Sequence, residues 1–428
     1  MGEDELPVPR QSSGSLAGSS TSGRHSRTSW RSLPRTISTR FSTRAPKPAR
    51  PLSPAANHFR AKVKQAQLLL ISSSKVAEEN KIGEPPRGWF RDVALALQMG
   101  IASEPASSSS SSSSARGGFW AAEPELFARV RAACGVPPAR YAATMGLQQG
   151  RQEPTLRVVG TSAASGKSGA FFLFSPDQQC IAKSCTAADW KTLLRVLPAY
   201  VERFEAARTC ADARACTRNR ESHCSGFLET LLPRYLGLYT LRGVAGDDKV
   251  IRVLVMANVF GGSRMIHRRY DLKGSTTGRL ASAKELKKHT PVLKDLDWVR
   301  QESPLAVPEE TRARVIKALE EDVRCLQDWG LMDYSLLLGV HDLERQESSR
   351  YEAMNVVCIK DEKRLSYIGM VDILTCYGWR KWAETWATGK LRFGRDVSCQ
   401  APKYYGQRFL SFIQTSVVTE EEAEEWTL

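Results

Sequence analysis

The sequence predicts an α+β protein with two lobes around a cleft. Three observations carry that expectation. Short β-type runs crowd the first half of the chain, and longer amphipathic segments follow from the middle onward. Apolar periodicity also runs from Phe119 to about Phe412 with no linker-like break in composition. At 428 residues, 42% of them hydrophobic, the chain is long enough for one large domain or two and apolar enough to bury a core.

The elements are taken in chain order. Residues 10–64 hold twelve Lys and Arg and no Asp or Glu, which accounts for most of the formal net charge of +15. Rich in Ser, Thr and Pro, this stretch cannot bury enough apolar surface to fold, so residues 1–60 read as a disordered basic arm. Such an arm suits phosphate-bearing partners. No aromatic stacking set accompanies the arginines, so a nucleic-acid partner is not expected. The opening MGEDELPVPR has no apolar core of a secretory signal, no run approaches the roughly 20 apolar residues of a membrane span, and the ten cysteines are irregularly spaced. Together these predict a reduced, cytoplasmic protein.

Trp89–Ile101 is a short periodic stretch. The eight serines Ser107–Ser114 come after it within a flexible linker over 103–118, which is expected to separate that stretch from everything downstream. Leu126–Ala133, Trp190–Glu205 and Glu309–Leu326 have helical period; Ala170–Phe174, Cys180–Lys183 and Val250–Met256 are β-type. Cys210–Ser225 and Ser282–Pro308 read as surface excursions, and the acidic cluster Glu420 to Glu425 as a solvated end. Cys210, Cys216, His223 and Cys224 contain no C-x-x-C pair, so zinc is not expected there.

Gly160-TSAASGKSGA-Phe171 invites a phosphate-loop reading, but five residues rather than four separate Gly160 from Gly166. Gly169 leads into Ala-Phe-Phe-Leu-Phe, a strand, whereas a phosphate loop must feed a helix N-terminus. The alternative is a strand–loop–strand cover. Its small residues Ser165, Gly166, Ser168 and Gly169 let backbone amides approach phosphate oxygens, and Lys183 on the next strand reaches the same phosphates.

Downstream, Asp333 in Trp329-GLMDYSLLLG and Asp372 in Tyr367-IGMVDIL are single acids in apolar runs, 39 residues apart. An ionised carboxylate there is costly unless paired or metal-bound. Phosphoryl transfer uses such a pair, one acid orienting or deprotonating the attacking hydroxyl and the other holding Mg²⁺. The protein-kinase HRD and DFG spellings are absent, and Leu338 stands five residues after Asp333 where those enzymes carry Asn. Arg268, Arg269, Lys273 and Arg279 surround Asp271 in sequence, a cluster that suits a phosphorylated head group and equally reads as a solvated face. Trp379, Trp382 and Trp386, interleaved with Arg380, Lys381, Lys390 and Arg392, form an interfacial membrane pattern or a buried aromatic face.

These blocks resemble the phosphatidylinositol phosphate kinases. The resemblance rests on Ser165-GKSGAFF, Ile181-Ala-Lys183, Thr230-LLPRYLGLY, His267-RRYDLKGST, Met332-DYSLLLGVH, Gly369-MVDIL and Pro402-KYYGQRFLSFI, in the family's order. It implies a kinase domain over 86–428, with a β-rich first lobe and a mixed second lobe. It also implies ATP and Mg²⁺ as cofactors, and transfer to a phosphoinositide, expected to be phosphatidylinositol 4-phosphate giving the 4,5-bisphosphate. Carried over, Lys183 binds ATP under the 165–169 loop, Asp333 is the catalytic acid and Asp372 the metal ligand. Asp271 and Lys273 belong to the block tied to catalysis and the lipid phosphate, with Arg269 and Lys381 beside the lipid, and Asn258 lies where the chain meets the nucleotide base. The segment after Asp372 is the family's activation loop, which implies a peripheral position at the plasma membrane on an anionic surface. Two departures stand out. The serine linker replaces a structured segment linked to dimer contacts, which leaves pairing with a related kinase open. Lys191 stands where relatives often place a glutamate, leaving Asp189 as the near candidate to anchor Lys183. The alternative function is therefore a feebly active scaffold that binds phosphoinositide and places an active relative at membranes.

Overall fold

The computed structural model describes residues 88–103, 118–148, 150–158, 170–215, 224–225, 229–244, 249–288, 290–302, 304–345, 357–361, 363–377 and 401–425. The first half of the chain runs α1 (Trp89–Ala102), β1 (Phe119–Ala121), α2 (Pro124–Ala133), α3 (Pro138–Met145), β2 (Arg157–Val158), β3 (Phe172–Phe174), β4 (Cys180–Ser184), α4 (Ala187–Ala215), β5 (Cys224–Ser225), β6 (Tyr235–Leu241) and β7 (Ile251–Ala257). Next come β8 (Arg268–Leu272), α5 (Ala283–Leu286), β9 (Val292–Lys294), α6 (Asp295–Gln301), β10 (Leu305–Val307), α7 (Glu309–Asp328), β11 (Leu331–Met332) and β12 (Ser335–Asp342). The chain closes with β13 (Val357–Lys360), β14 (Arg364–Val371), β15 (Thr375–Cys376), α8 (Pro402–Ser416), β16 (Val417–Thr419) and α9 (Glu420–Glu425).

Two six-stranded sheets organise these elements, the first in the order β1-β6-β7-β4-β3-β2 and the second β5-β13-β14-β12-β8-β9. The first is an antiparallel sheet carrying the β-rich lobe. The second mixes antiparallel pairs with the parallel β8–β9 pair. Its central strands β12 and β14 are buried over almost their whole length. One apolar core runs through both sheets, from Trp89 in α1 to Val417 at the start of β16. This is the α+β, two-lobed architecture the sequence predicts.

Three expectations need correction. The stretch ahead of the serine linker is no separate piece: Trp89, Val93, Leu97 and Ile101 are buried in the first lobe, and Trp89 meets Phe171 edge to face at 5.6 Å. Gln98 of α1, fully buried, donates to the Gly146 carbonyl and accepts from Thr155 N, fixing the loop after α3. Second, the chain from Cys210 to Ala215 continues helix α4. Third, the Ser282–Pro308 segment holds α5, β9, α6 and β10, and β10 pairs in parallel with β16. The arm over residues 1–60 and the serine run lie outside the described residues.

Candidate active site

Strand register assembles the site. Ser335 of β12 pairs with Val371 of β14, so Asp333, two residues before one, and Asp372, next after the other, emerge at the same sheet end. The short β11–β15 pair, Met332 opposite Thr375, seals that end. On the other side of β12, Leu336 pairs with Leu272, which brings Lys273 to the same place. Residues 39 and 60 positions apart in the chain thus become neighbours.

Both acids have left-handed backbones, φ 64° at Asp333 and φ 57° at Asp372. Among the described residues only two other non-glycine residues, Glu123 and Gln178, do the same. Such conformations cost about 1–3 kcal/mol each and persist where surrounding structure enforces them. Beside Asp333, Tyr405 of α8 pins the next residue: its hydroxyl donates to the Tyr334 carbonyl, and Tyr334 packs edge to face on Tyr405 and Phe409 at 4.7 and 5.3 Å.

Each acid holds a lysine. Lys183 Nζ donates to Asp372 Oδ1 at 2.8 Å and lies over the Phe172 ring at 5.6 Å. Lys273 Nζ donates to Asp333 Oδ1 at 2.7 Å and to the Asp333 carbonyl at 2.5 Å. The Asp372 side chain keeps 60% of its surface, against 32% for Asp333 and 15% for Lys273. Crowding by protein atoms pushes the Asp372 carboxyl up; the Lys183 charge and hydrogen bond, with the Lys273 charge behind them, outweigh it and hold Asp372 below the ordinary carboxylate range.

Asp271 accepts from Arg279 Nη2 at 2.8 Å on its carboxylate, and Arg279 also donates to its carbonyl. Arg269 points toward the turn after β7, its guanidinium 5.6 Å from the Phe260 ring centre, and burial depresses its basicity. Arg268, one residue earlier on β8, faces the other way. It makes a bidentate pair with Asp342 at 2.7 Å and a 2.5 Å bond to Glu302. The sequence cluster around Asp271 therefore loses Arg268 to strand alternation. Asn258 caps the turn after β7: its amide donates to Gln178 O at 2.8 Å, and its side-chain oxygen accepts from Phe260 N at 3.1 Å.

The candidate Lys183 anchor on α4 does not form. Asp189 Oδ2 instead accepts from Thr186 N at 3.1 Å and from Thr186 Oγ1 at 2.8 Å, while Thr186 Oγ1 accepts from Asp189 N. This is a capping arrangement at the start of α4. Lys191 is exposed on the same helix. Ser165, Gly166, Ser168, Gly169, Lys381 and the Trp379–Trp386 segment lie outside the described residues, as do Cys216 and His223.

Sequence reasoning missed Asp295, the residue that shapes the Lys273 loop. Its carboxylate is 1% exposed and accepts from the backbone N–H groups of Lys273 and Gly274 at 2.8 and 2.6 Å, and from Arg279 Nε at 2.5 Å. Only the pair of acids opening a short helical run, in Lys294-Asp-Leu-Asp-Trp298, could have signalled it. Among the described residues no set of three His, Cys, Asp or Glu side chains could hold a metal ion. One exposed carboxylate beside a cleft does fit Mg²⁺, which is commonly held by one or two carboxylates plus substrate phosphates.

Comparison with known proteins gives a consistent outcome. A family model described as phosphatidylinositol-4-phosphate 5-kinase matches residues 214–357 and 352–416. Phosphatidylinositol 5-phosphate 4-kinase type-2 alpha of Mus musculus is 30% identical over 298 residues, spanning 58% of this chain and 68% of that protein. A probable phosphatidylinositol phosphate kinase of Dictyostelium discoideum is 26% identical over 361 residues, 69% of this chain and 47% of its own. The phosphatidylinositol 4-phosphate 5-kinase of Plasmodium falciparum is 27% identical over 325 residues, 68% of this chain and 18% of its own.

Proposed function

The chain belongs to the phosphatidylinositol phosphate kinase family, and we propose that it transfers the ATP γ-phosphate to phosphatidylinositol 4-phosphate at the cytosolic face of the plasma membrane. The observation that carries this reading is the convergence of two lysine–aspartate pairs, Lys183–Asp372 and Lys273–Asp333, on one sheet end.

Asp333 orients the ring hydroxyl and accepts its proton as the oxygen attacks, and Lys273 keeps that carboxylate in place. Lys183, drawn off Asp372 by the nucleotide, holds the phosphates. Asp372 would hold Mg²⁺, which when bound would neutralise charge on the phosphate oxygens. Arg269 and Lys273 supply positive charge toward the lipid head group. Membrane contact rests on the sequence pattern of Trp379, Trp382 and Trp386 with Lys381 and its neighbouring cations.

A second reading is favoured by one observation. Lys183 has Asp372 as its carboxylate, and Asp189 is engaged with Thr186. A lysine held by the metal-binding acid rather than by the helix suits a feeble catalyst that binds phosphoinositide and pairs with an active relative.

The deciding experiment supplies radiolabelled ATP and Mg²⁺ to purified protein with vesicles holding phosphatidylinositol 4-phosphate, 5-phosphate or unphosphorylated phosphatidylinositol, beside Lys183→Met. Label in a bisphosphate from the 4-phosphate, absent in the variant, is the expected result. Label only from the 5-phosphate reassigns the ring position. Vesicle binding with no label from any lipid puts the scaffold first.

A further inference from the structure

The Lys273 loop is shaped from below by a buried ionic lattice. Asp295, at the start of α6, is 1% exposed, and its Oδ1 accepts from three successive backbone N–H groups: Lys273 at 2.8 Å, Gly274 at 2.6 Å and Ser275 at 3.4 Å. Its Oδ2 accepts from Arg279 Nε at 2.5 Å, and Arg279 Nη2 goes on to the Asp271 carboxylate at 2.8 Å. Burial alone would lower the Arg279 basicity, but Asp295 and Asp271 raise it, so the bridging guanidinium is firmly cationic. Gly274 completes the turn. Its φ is 66°, and a Cβ there would sit 2.9 Å from the Arg408 carbonyl, so the loop is pressed against α8.

We infer that Asp295, with Arg279, is a positioning residue for phosphoryl transfer, acting through Lys273 and Asp333 without touching substrate. This rests on the proposed reading of Asp333 as the catalytic acid. A carboxylate gathering three backbone donors and one guanidinium fixes where the Lys273 main chain runs. The side chain then has one reach, to Asp333 Oδ1 and the Asp333 carbonyl. The same lattice sets Asp271 through Arg279. Strand β8 therefore delivers two charged groups to the cleft already aligned. A loop displacement of about 1 Å at such a place costs about 100-fold in rate.

The test uses full-length protein with Asp295→Asn, and Arg279→Lys as the second variant, which keeps the charge and all three backbone bonds to Asp295. Competitive lysine labelling with acetic anhydride, read by mass spectrometry, reports Lys273 exposure without any need for turnover. The expected result is a rise of about tenfold at Lys273, equivalent to about 1.4 kcal/mol of lost pairing. Lys183 serves as the internal control and stays unchanged. Where turnover is measurable, kcat falls about 100-fold in Asp295→Asn with KM for ATP unchanged. General loosening would raise labelling at both lysines and overturn the proposal. Unchanged Lys273 labelling in folded Asp295→Asn overturns it too; Arg279→Lys, with the backbone bonds intact, stays near wild type at Lys273, and a rise there equal to that of Asp295→Asn would overturn Asp295 as the positioning residue. A wild-type protein without kinase activity sinks the lipid-kinase reading, and the labelling result still decides whether Asp295 positions Lys273.

Discussion

The two lysines of the cleft are held in opposite ways. Lys273 grows from a loop pinned by a carboxylate 1% exposed, and its own side chain keeps 15% of its surface. Lys183 grows from β4, pairs with an acid whose side chain is 60% exposed, and has no carboxylate from α4 beside it among the described residues. In the proposed mechanism, the half of the site that meets the hydroxyl is built before substrate arrives. The half proposed to meet the nucleotide is latched provisionally, with Lys183 on the acid assigned to the metal. Preorganised charges cost no rearrangement during reaction, whereas a latched lysine must be drawn away first.

The strongest break is Asp333→Asn. Phosphorylation of phosphatidylinositol 4-phosphate should drop by about 10²–10⁴-fold, the usual share of general acid–base catalysis, while sedimentation with anionic vesicles is unchanged. Surviving activity would remove Asp333 from its role. Next comes a paired thermal measurement. Lys273→Met leaves the part-buried Asp333 unmatched and should cost about 1–3 kcal/mol. Lys183→Met, which exposes an already accessible Asp372, should stay within about 0.5 kcal/mol. Equal shifts in melting temperature would erase the contrast.

Titration sharpens it further. Asp372 is held below the ordinary carboxylate range, so whatever its pair with Lys183 contributes to stability is present above about pH 4 and is lost as pH falls through the lower folded value. Carboxyl carbon NMR should show its midpoint moving up in Lys183→Met, because crowding is then opposed by the Lys273 charge without the Lys183 hydrogen bond. An unmoved midpoint means Lys183 is not the residue holding it. The smallest effect belongs to Thr186→Ala, which removes the cap of α4 for about 1 kcal/mol, or about 2–4 °C. If that change also raises turnover, Asp189 has been freed to take Lys183.

Much of the molecule is legible in its residues, and each failure has a physical reason. Asp333 and Asp372 stand out because carboxylates in apolar strands need partners, and the structure supplies a lysine for each. The β-type runs Ala170–Phe174, Cys180–Lys183 and Val250–Met256 become β3, β4 and β7 of the first sheet. Arg268 is misplaced by counting charges near Asp271, because neighbouring strand residues face opposite ways. Asp189 looks available to Lys183, yet Thr186-Ala-Ala-Asp189 is itself a capping signature, and a partner three residues away closes a far smaller loop than one across a cleft. Asp295 is invisible because Lys-Asp-Leu-Asp reads as solvated charge until the fold buries it. The docking of α1 escapes because a flexible connection says nothing about whether its ends pack.

The lobes are also riveted together away from the cleft. Arg203 of α4 meets Asp322 of α7 at 2.8 Å, with side chains 7% and 0% exposed, and Thr230 and Leu231 N donate to the same carboxylate at 2.7 and 2.6 Å. Leu231 O accepts from Met370 N at 2.7 Å, and Arg195 donates to the Trp329 carbonyl at 2.9 Å. Breaking a buried pair of this kind costs about 3–5 kcal/mol, so a gaping form is populated about a hundredfold to a few thousandfold less than the closed one. The cleft is a slot of set width rather than a jaw. X-ray scattering profiles should therefore hardly change when ATP is added, and a marked contraction would show that the lobes close like a jaw.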